Sequence, residues 1–351
     1  MTLRTLLLGS AAAVLVAGGA QAADLGAEPV NYVKVCDAFG AGFYYAPGTD
    51  TCIKISGWTR LDINIPGPVL AVGFSASHNY SMYNQLQVTA ASMTEYGPMV
   101  GYIGIESLIG QAFLGATTIV QSLGIDAATL SLGPLSAGYA WSSYSNNIFP
   151  TYHNTPFNPL GGNHTLFVQL SWALQGVGVF LAAEDYRTRD GGTSTGQIPD
   201  IVGGISFAAG GINAKVTAGW GDRQVTDTWG IHGDVGVGLG ALGNLNVQAS
   251  YSKNADDWAS WAAVGGGGNA GDWLGVWVAL SSQWSPQISS LIGWAYYDDV
   301  AAAGSGTNTI VGQIGFTPVR NFLIGAEVQH VMPPAAASTT TGIIRLQRSW
   351  P

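Results

Sequence analysis

Residues 52–64 read CIKISGWTRLDIN, and apolar and polar side chains alternate along most of this stretch. Successive side chains of a β-strand point to opposite faces of the sheet, so residues two apart share a face. The apolar face carries Ile53, Ile55, Leu61 and Ile63. The polar face carries Lys54, Ser56, Arg60, Asp62 and Asn64. The pattern predicts a β-strand with one apolar and one polar face.

The same alternation recurs along the chain. Near the end, Ile344, Leu346 and Trp350 share one face, and residues 345, 347 and 349 share the polar one, while Arg348 departs from the pattern. In the middle, residues 166–174 and 324–329 alternate in the same way. Strands are therefore predicted from the start of the chain to its end.

Glycine and proline divide these strands into hairpins. We expect seven tight turns, near residues 96–98, 132–134, 174–176, 209–211, 241–243, 284–286 and 316–318. We expect eight longer loops, near residues 66–82, 109–126, 143–165, 187–199, 222–229, 254–272, 298–306 and 332–341. Seven turns and eight loops join 16 strands, an even number that leaves both chain ends on one side, as bacterial membrane barrels require.

The composition indicates whether the apolar faces of the strands point toward a shared core or toward lipid. Only 9% of the residues are charged, whereas the outer faces of a soluble β-sandwich or a secreted solenoid would carry far more charge. The chain is therefore predicted to be all-β, a 16-stranded antiparallel transmembrane β-barrel with its apolar faces toward lipid. The net charge is -9 and there is no cluster of Lys or Arg, which excludes a nucleic-acid-binding surface.

The first 22 residues have the pattern of a secretory signal peptide. Arg4 precedes an apolar run at 6–17, and the small residues Ala20 and Ala22 form an A-x-A cleavage site. The alternative, a transmembrane helix, is disfavoured because the apolar run is too short to span a bilayer. We expect cleavage after Ala22, a periplasmic N-terminal segment at 23–50 and barrel strands within 51–350.

Export makes the two cysteines interpretable. Cys36 and Cys52 form an even pair in an oxidising compartment, which predicts a disulfide that closes a short loop and contributes about 3 kcal/mol in the chain-entropy model. A single pair cannot form a cysteine-rich metal site, and the five histidines lack the spacing of metal ligands. No metal site and no cofactor is predicted.

The stretch VKVCDAFGAGFYYAPGTDTCIKISGWTRLDI at 33–63, with both cysteines and a G-x-x-R at Gly57 and Arg60, strongly resembles the start of the mature porins of alphaproteobacteria, the rhizobial and brucella type. Further similarities are IPDIVGGISFAAG at 198–210 and GIIRLQRSW at 342–350, so the resemblance covers about 30–350. It implies a homotrimer in the outer membrane, among its lipids and lipopolysaccharide. It also implies water-filled pores for passive diffusion of small hydrophilic solutes and ions, narrowed by an inward-folded third extracellular loop.

Strand parity places eight ionisable residues on the inner wall of such a barrel. The predicted pore-lining residues are Lys54, Arg60, Asp62, Glu106, Glu184, Lys215, Glu327 and Arg345. They either set a weak ion selectivity or pair with one another in a wide pore. The mature chain has 21 acidic residues against 11 cationic ones, since the full chain has 12 and Arg4 leaves with the signal peptide. This excess favours a mild cation preference.

The third long loop departs from the family's pattern. General diffusion porins usually place acidic residues on it, but residues 139–165 contain no Asp, Glu, Lys or Arg. The residues expected at the constriction are Asn146, Asn147, Tyr152, His153, Asn154 and Phe157. We therefore expect a neutral and aromatic constriction, with ion preference supplied by the wall.

Two other classes of function remain as alternatives. An outer-membrane barrel enzyme, such as a lipase-like hydrolase, would need a serine, a histidine and an acid or amide together, and the chain has no G-x-S-x-G motif. A structural or adhesive barrel would predict longer loops than these. The sequence accordingly predicts no catalytic residues and favours a porin over an enzyme.

Overall fold

The computed structural model describes residues 35–65, 79–111, 119–145, 151–152, 164–189, 198–222, 227–253, 258, 271–299 and 305–350. The predicted signal peptide lies outside these residues. The first strands are β1 (Tyr44–Tyr45), β2 (Cys52–Ile65), β3 (Asn79–Thr94), β4 (Gly97–Gln111), β5 (Ile119–Leu132), β6 (Leu135–Trp141), β7 (His164–Leu174), β8 (Val177–Glu184) and β9 (Asp200–Ala209). The remaining strands are β10 (Ile212–Gly221), β11 (Thr228–Gly238), β12 (Asn244–Lys253), β13 (Trp273–Gln283), β14 (Ile288–Asp299), β15 (Thr307–Val319), β16 (Phe322–Met332) and β17 (Thr339–Trp350).

Helical structure in the described residues is confined to single turns. These are two 3-10 turns at Asp37–Phe39 and Gly240–Leu242 and one α-helical turn at Tyr186–Arg189. None of the described helices has the length and apolarity needed to cross a membrane.

The sheet closes on itself. Each strand from β2 to β17 pairs antiparallel with the next, and β17 pairs with β2 through contacts such as Arg345 opposite Asp62. The two residues of β1 add to the start of β2, with Tyr44 opposite Ile53. Closure removes the unpaired edges that an open sheet would expose. The predicted 16-stranded antiparallel barrel is confirmed.

Short turns lie at one end of the barrel, which we call the turn end, and the longer connections lie at the other, the loop end. Six of the predicted turns lie at or beside the observed ones, but the turn predicted at 316–318 is wrong. β15 continues to Val319 through a bulge after Phe316, and the chain reverses at Arg320 and Asn321. Proline is tolerated at a bulge because no ladder hydrogen bond is needed there, so Pro318 did not mark the turn.

The outward faces are apolar and exposed. In β7, the side chains of Val168, Trp172 and Leu174 are 53%, 48% and 68% exposed. In β16, Val328 is 46% exposed, while its neighbour Glu327 is 2% exposed inside the barrel. A continuous exposed apolar surface of this kind suits lipid rather than water. The predicted assignment of faces in these strands is confirmed.

The cysteine pair fastens the N-terminal segment to the barrel. Cys36 and Cys52 form the predicted disulfide, with their Cα atoms 6.0 Å apart, and both residues are buried. Cys52 opens β2 and lies opposite Ala91 of β3, close to the turn that ends this strand. The disulfide therefore lies at the turn end.

Part of the barrel interior is apolar. A buried cluster lines the inner face of β8, β9 and β13–β15 and includes residues of two loop-end connections: Tyr144, Ala182, Val202, Trp258, Trp277, Ala279, Leu291, Ala295 and Val311. The alternation predicts a polar, water-lined inner face, and this expectation is wrong for this sector. Alternation identifies the inward positions, but a barrel partly filled by its own side chains can bury apolar groups there.

Candidate pore and constriction

A buried ion pair lies on the inner wall where β17, the last strand, pairs with β2. Arg345 of β17 donates from Nε to Oδ1 of Asp62 on β2 at 2.7 Å, and from Nη2 to Oδ2 at 2.8 Å. Both residues are almost fully buried. A bidentate bond between guanidinium and carboxylate fixes the relative orientation of the two groups as well as pairing their charges. It therefore sets the register between β17 and β2.

Arg60 belongs to the same wall. Its Nε lies 3.2 Å from Oδ2 of Asp62, so two guanidinium groups share one carboxylate. Its Cζ lies 4.7 Å from the ring centroid of Trp58 and 4.5 Å from that of Tyr83. Both rings attract the cation and help to hold it against the wall. The Gly57 of the G-x-x-R motif is needed because a Cβ there would overlap the carbonyl oxygen of Gln85 on β3.

The third long loop begins inside the barrel. After β6, Ser142 donates from Oγ to Oε2 of Glu184 on β8 at 2.7 Å, and the backbone N–H of Ser143 donates to Oε1 at 2.8 Å. One residue later, the carbonyl of Tyr144 accepts from Oγ1 of Thr217 on β10 at 3.1 Å. Glu184 is 0% exposed, so this attachment is buried in the interior.

The same loop reaches the inner wall a second time, at β16 and β17. The backbone N–H of Tyr152 donates to Oε2 of Glu327 at 2.6 Å, and its carbonyl accepts from Nη2 of Arg345 at 3.2 Å. The Tyr152 ring centroid lies 4.5 Å from Cζ of Arg345. Two anchors at separate parts of the inner wall place the described residues of the loop, 142–145 and 151–152, within the barrel, which confirms that the third loop folds inward.

Tyr152 is the one predicted constriction residue that the structure describes, and it is 6% exposed. Burial raises the pKa of its phenol, so the ring is neutral at pH 7. The other predicted constriction residues lie outside the described part of the chain: Asn146, Asn147, His153, Asn154 and Phe157.

All eight predicted pore-lining residues occupy inward positions, but their partners differ. Glu184 and Glu327 hold loop backbone. Lys54 lies over the ring of Phe43 and Lys215 over that of Phe180, at 5.8 Å and 5.4 Å from the centroids. Glu106 is half-buried and lies opposite Gln85.

The loop predicted near 109–126 is wrong at its C-terminal end, because β5 already begins at Ile119 and Asp126 is a charged residue of the wall. The pairing of β4 with β5 shifts by one residue between Gly104 and Ile105, and Asp126 is the extra residue on β5. A bulge of this kind breaks the two-residue period, so parity cannot assign its face. The Oδ2 of Asp126 accepts from Nε2 of Gln85 at 2.6 Å, and its Oδ1 lies 3.1 Å from Nε2 of His164. Gln85 on β3 thus lies opposite Glu106 on β4 and also reaches Asp126 on β5.

Solved structures with the same fold are outer-membrane channels. The channel DcaP of Acinetobacter baumannii superposes with a TM-score of 0.66 at 14% identity, covering 87% of this chain and 99% of that one. The anion-selective porin from Comamonas acidovorans gives a TM-score of 0.60 at 12% identity, covering 86% and 100%. At these identities the similarity concerns the fold alone.

Sequence comparison gives the family. The chain is 30% identical over 391 residues to porin Omp2b of Brucella neotomae and 29% identical over 387 residues to porin Omp2b of Brucella canis, in both cases over 100% of both chains. Residues 23–343 match the family described as the Porin subfamily. The chain therefore belongs to the porin subfamily, a family of Gram-negative outer-membrane β-barrels.

Proposed function

We propose that this porin forms a water-filled channel through which small hydrophilic solutes and ions diffuse passively down their gradients. The observation that carries the proposal is the double attachment of the third loop inside a closed barrel, at Glu184 and at Glu327 with Arg345. A loop attached to the inner wall at two separate places narrows the interior, and such a constriction sets the size limit for solutes.

The passage runs between this loop and the wall formed by β2–β5. At the edge of that wall, Arg60 of β2 and Arg345 of the adjoining β17 both contact Asp62. Farther along the wall, Glu106 lies opposite Gln85, and Asp126 accepts a hydrogen bond from Gln85. The loop contributes no Asp, Glu, Lys or Arg. We therefore infer a constriction with a neutral loop side and a weakly acidic wall, which gives a mild preference for cations.

The proposal also covers the lipid contacts, the oligomeric state, the cleavage of the signal peptide and the lack of enzyme activity. The exposed apolar outer face supports contact with outer-membrane lipids and lipopolysaccharide. The resemblance to the alphaproteobacterial porins supports a homotrimer. Cleavage of a signal peptide after Ala22 is supported by the family match, which begins at residue 23. Passive diffusion needs no cofactor and no catalytic residue, so the protein is proposed not to be an enzyme.

Liposome swelling tests the channel directly. Liposomes containing the purified protein should swell in isotonic sugar at rates that fall steeply as the sugar grows from a pentose to a trisaccharide. Liposomes with heat-denatured protein are the control. Swelling no faster than in the control would overturn the proposal. Release of fatty acid from the liposome lipids during the assay would favour the hydrolase alternative instead.

A further inference from the structure

Trp258 comes from a connection other than the third loop, yet it is packed inside the barrel. It lies between β12 and β13 at the loop end, and its side chain is 0% exposed. Its ring centroid lies 4.9 Å from that of Tyr144, which belongs to the third loop, and the two planes meet edge to face at 64°. Two loop-end connections therefore meet at one aromatic pair in the interior.

The barrel wall is shaped to receive this ring. Gly219 of β10 and Gly230 of β11 lie directly opposite each other in the sheet. A Cβ at either position would overlap Trp258, and one at Gly230 would also overlap the hydroxyl of Tyr144. The indole Nε1 donates to Oγ1 of Thr228 at 3.2 Å. A facing pair of glycines with a hydrogen-bond acceptor beside it forms a seat for one flat side chain.

The aromatic pair lies next to the first anchor of the third loop. The residues just before Tyr144 are held by Glu184, and the carbonyl of Tyr144 is held by Thr217. Trp258 packs edge to face against the Tyr144 ring and is itself fully buried. Because buried edge-to-face pairs add stabilisation beyond the area they bury, Trp258 resists displacement of this part of the loop from the wall.

We propose that Trp258 is a permeability-determining residue of the channel. It fills the interior beside β10 and β11 and wedges Tyr144 in place, so that the passage is confined to the side of β2–β5. The size limit for hydrophilic solutes is then set by two loop-end connections rather than by the third loop alone. This inference rests on the channel function proposed above.

Single-channel recording in planar bilayers tests whether Trp258 limits permeation. Trp258→Ala should raise the conductance about 1.5-fold, because Tyr144 and its part of the third loop can then move toward β10 and β11 and widen the narrowest section, which governs the flow. It should also let a trisaccharide enter liposomes faster. Gly230→Ala, which leaves the tryptophan present but fills its seat, should change the conductance too. The matched controls are Gly233→Ala on the same strand, where an added Cβ meets only ordinary contacts, and Trp284→Ala at the turn end, where the side chain is 66% exposed.

A labelling experiment tests the burial independently. The native cysteines are joined in a disulfide, so Trp258→Cys supplies a single thiol. In barrels that still show heat-modifiable migration, this thiol should react with a maleimide at least tenfold more slowly than the thiol of Trp284→Cys. Equal labelling rates would overturn the proposal, even if Trp258→Ala failed to fold.

The outcomes separate the two proposals. If the wild-type protein passes no current and admits no sugar, the channel function itself is wrong. If the wild type conducts, but Trp258→Ala and Gly230→Ala keep its conductance and size limit, the channel stands and the role of Trp258 is wrong.

Discussion

Arg345 and Asp62 are 283 residues apart in the chain, yet they lie directly opposite each other across the seam between β17 and β2, joined by hydrogen bonds of 2.7 and 2.8 Å. The same guanidinium reaches the carbonyl of Tyr152. One ion pair thus links closure of the barrel to the position of the third loop.

Asp62→Asn should therefore destabilise the barrel. Removing one charge of a buried pair leaves the other uncompensated, which costs about 3 kcal/mol or more in free energy of unfolding. Urea titration of the protein in phosphocholine vesicles measures this change. The matched control is Asp185→Asn, which breaks the exposed pair of Asp185 with Arg187 and should cost about 0–1 kcal/mol. Equal losses from the two variants would show that the seam pair does not stabilise closure.

Glu327→Gln should loosen the third loop. The charge-assisted bond from the Tyr152 N–H becomes a weaker neutral one, and Arg345 loses a nearby negative charge. We expect greater open-channel current noise and a conductance about 1.2-fold higher, since the constriction governs the flow. Glu95→Gln, an exposed site at the turn end, should leave the recordings unchanged. A folded Glu327→Gln protein with the noise of the wild type would contradict the anchoring role.

Glu106→Gln should weaken the proposed preference for cations. The substitution removes the carboxylate on β4, one of the two acidic groups next to Gln85 on the passage wall. The ratio of potassium to chloride permeability should fall about twofold, as expected when one fixed charge of a pore is neutralised. Reversal potentials across a KCl gradient measure the ratio, again with Glu95→Gln as control. An unchanged permeability ratio would show that residues other than Glu106 set the ion preference.

The double variant Cys36→Ser with Cys52→Ser should lose stability without changing permeation. The disulfide closes a loop across a sequence separation of 16 residues, and such a loop contributes about 3 kcal/mol in the chain-entropy model. The loss should appear in the same urea titration, and reduced wild-type protein should match the variant. Conductance should stay at the wild-type value because the disulfide lies at the turn end. A changed conductance would mean that the N-terminal segment affects the passage.

The alternating stretches were enough to predict the strands and their faces. In residues 166–174 every second side chain from Leu166 to Leu174 is apolar, and these side chains point outward as expected. Bulges limited the same reasoning. Asp126 is the extra residue at a shifted register, and the bulge after Phe316 moved the last short turn to Arg320 and Asn321. One extra residue at a bulge moves the side chains that follow it to the opposite face of the sheet. The local pattern of apolar and polar residues does not show where such a bulge lies.

The alternation of apolar and polar residues could not predict which residues contact one another inside the barrel. Strand parity predicts that Glu184 and Glu327 face the interior, but it gives no sign of their bonds to Ser142 and Tyr152, which join residues 42 and 175 positions apart. Trp258 carries no pattern that distinguishes it from an ordinary loop tryptophan. Its seat exists because Gly219 and Gly230 face each other on neighbouring strands.

The sequence by itself determined the class of fold, the number of strands, the disulfide and the faces of the regular strands. These follow from local rules, because a strand repeats every two residues and most of the tight turns hold glycine or proline. Only the tertiary structure decided that charged wall residues hold the third loop, that Trp258 enters the interior and that part of that interior is apolar. Closure of the barrel brings distant residues together inside one enclosed space, and their contacts depend on the register of all the strands at once.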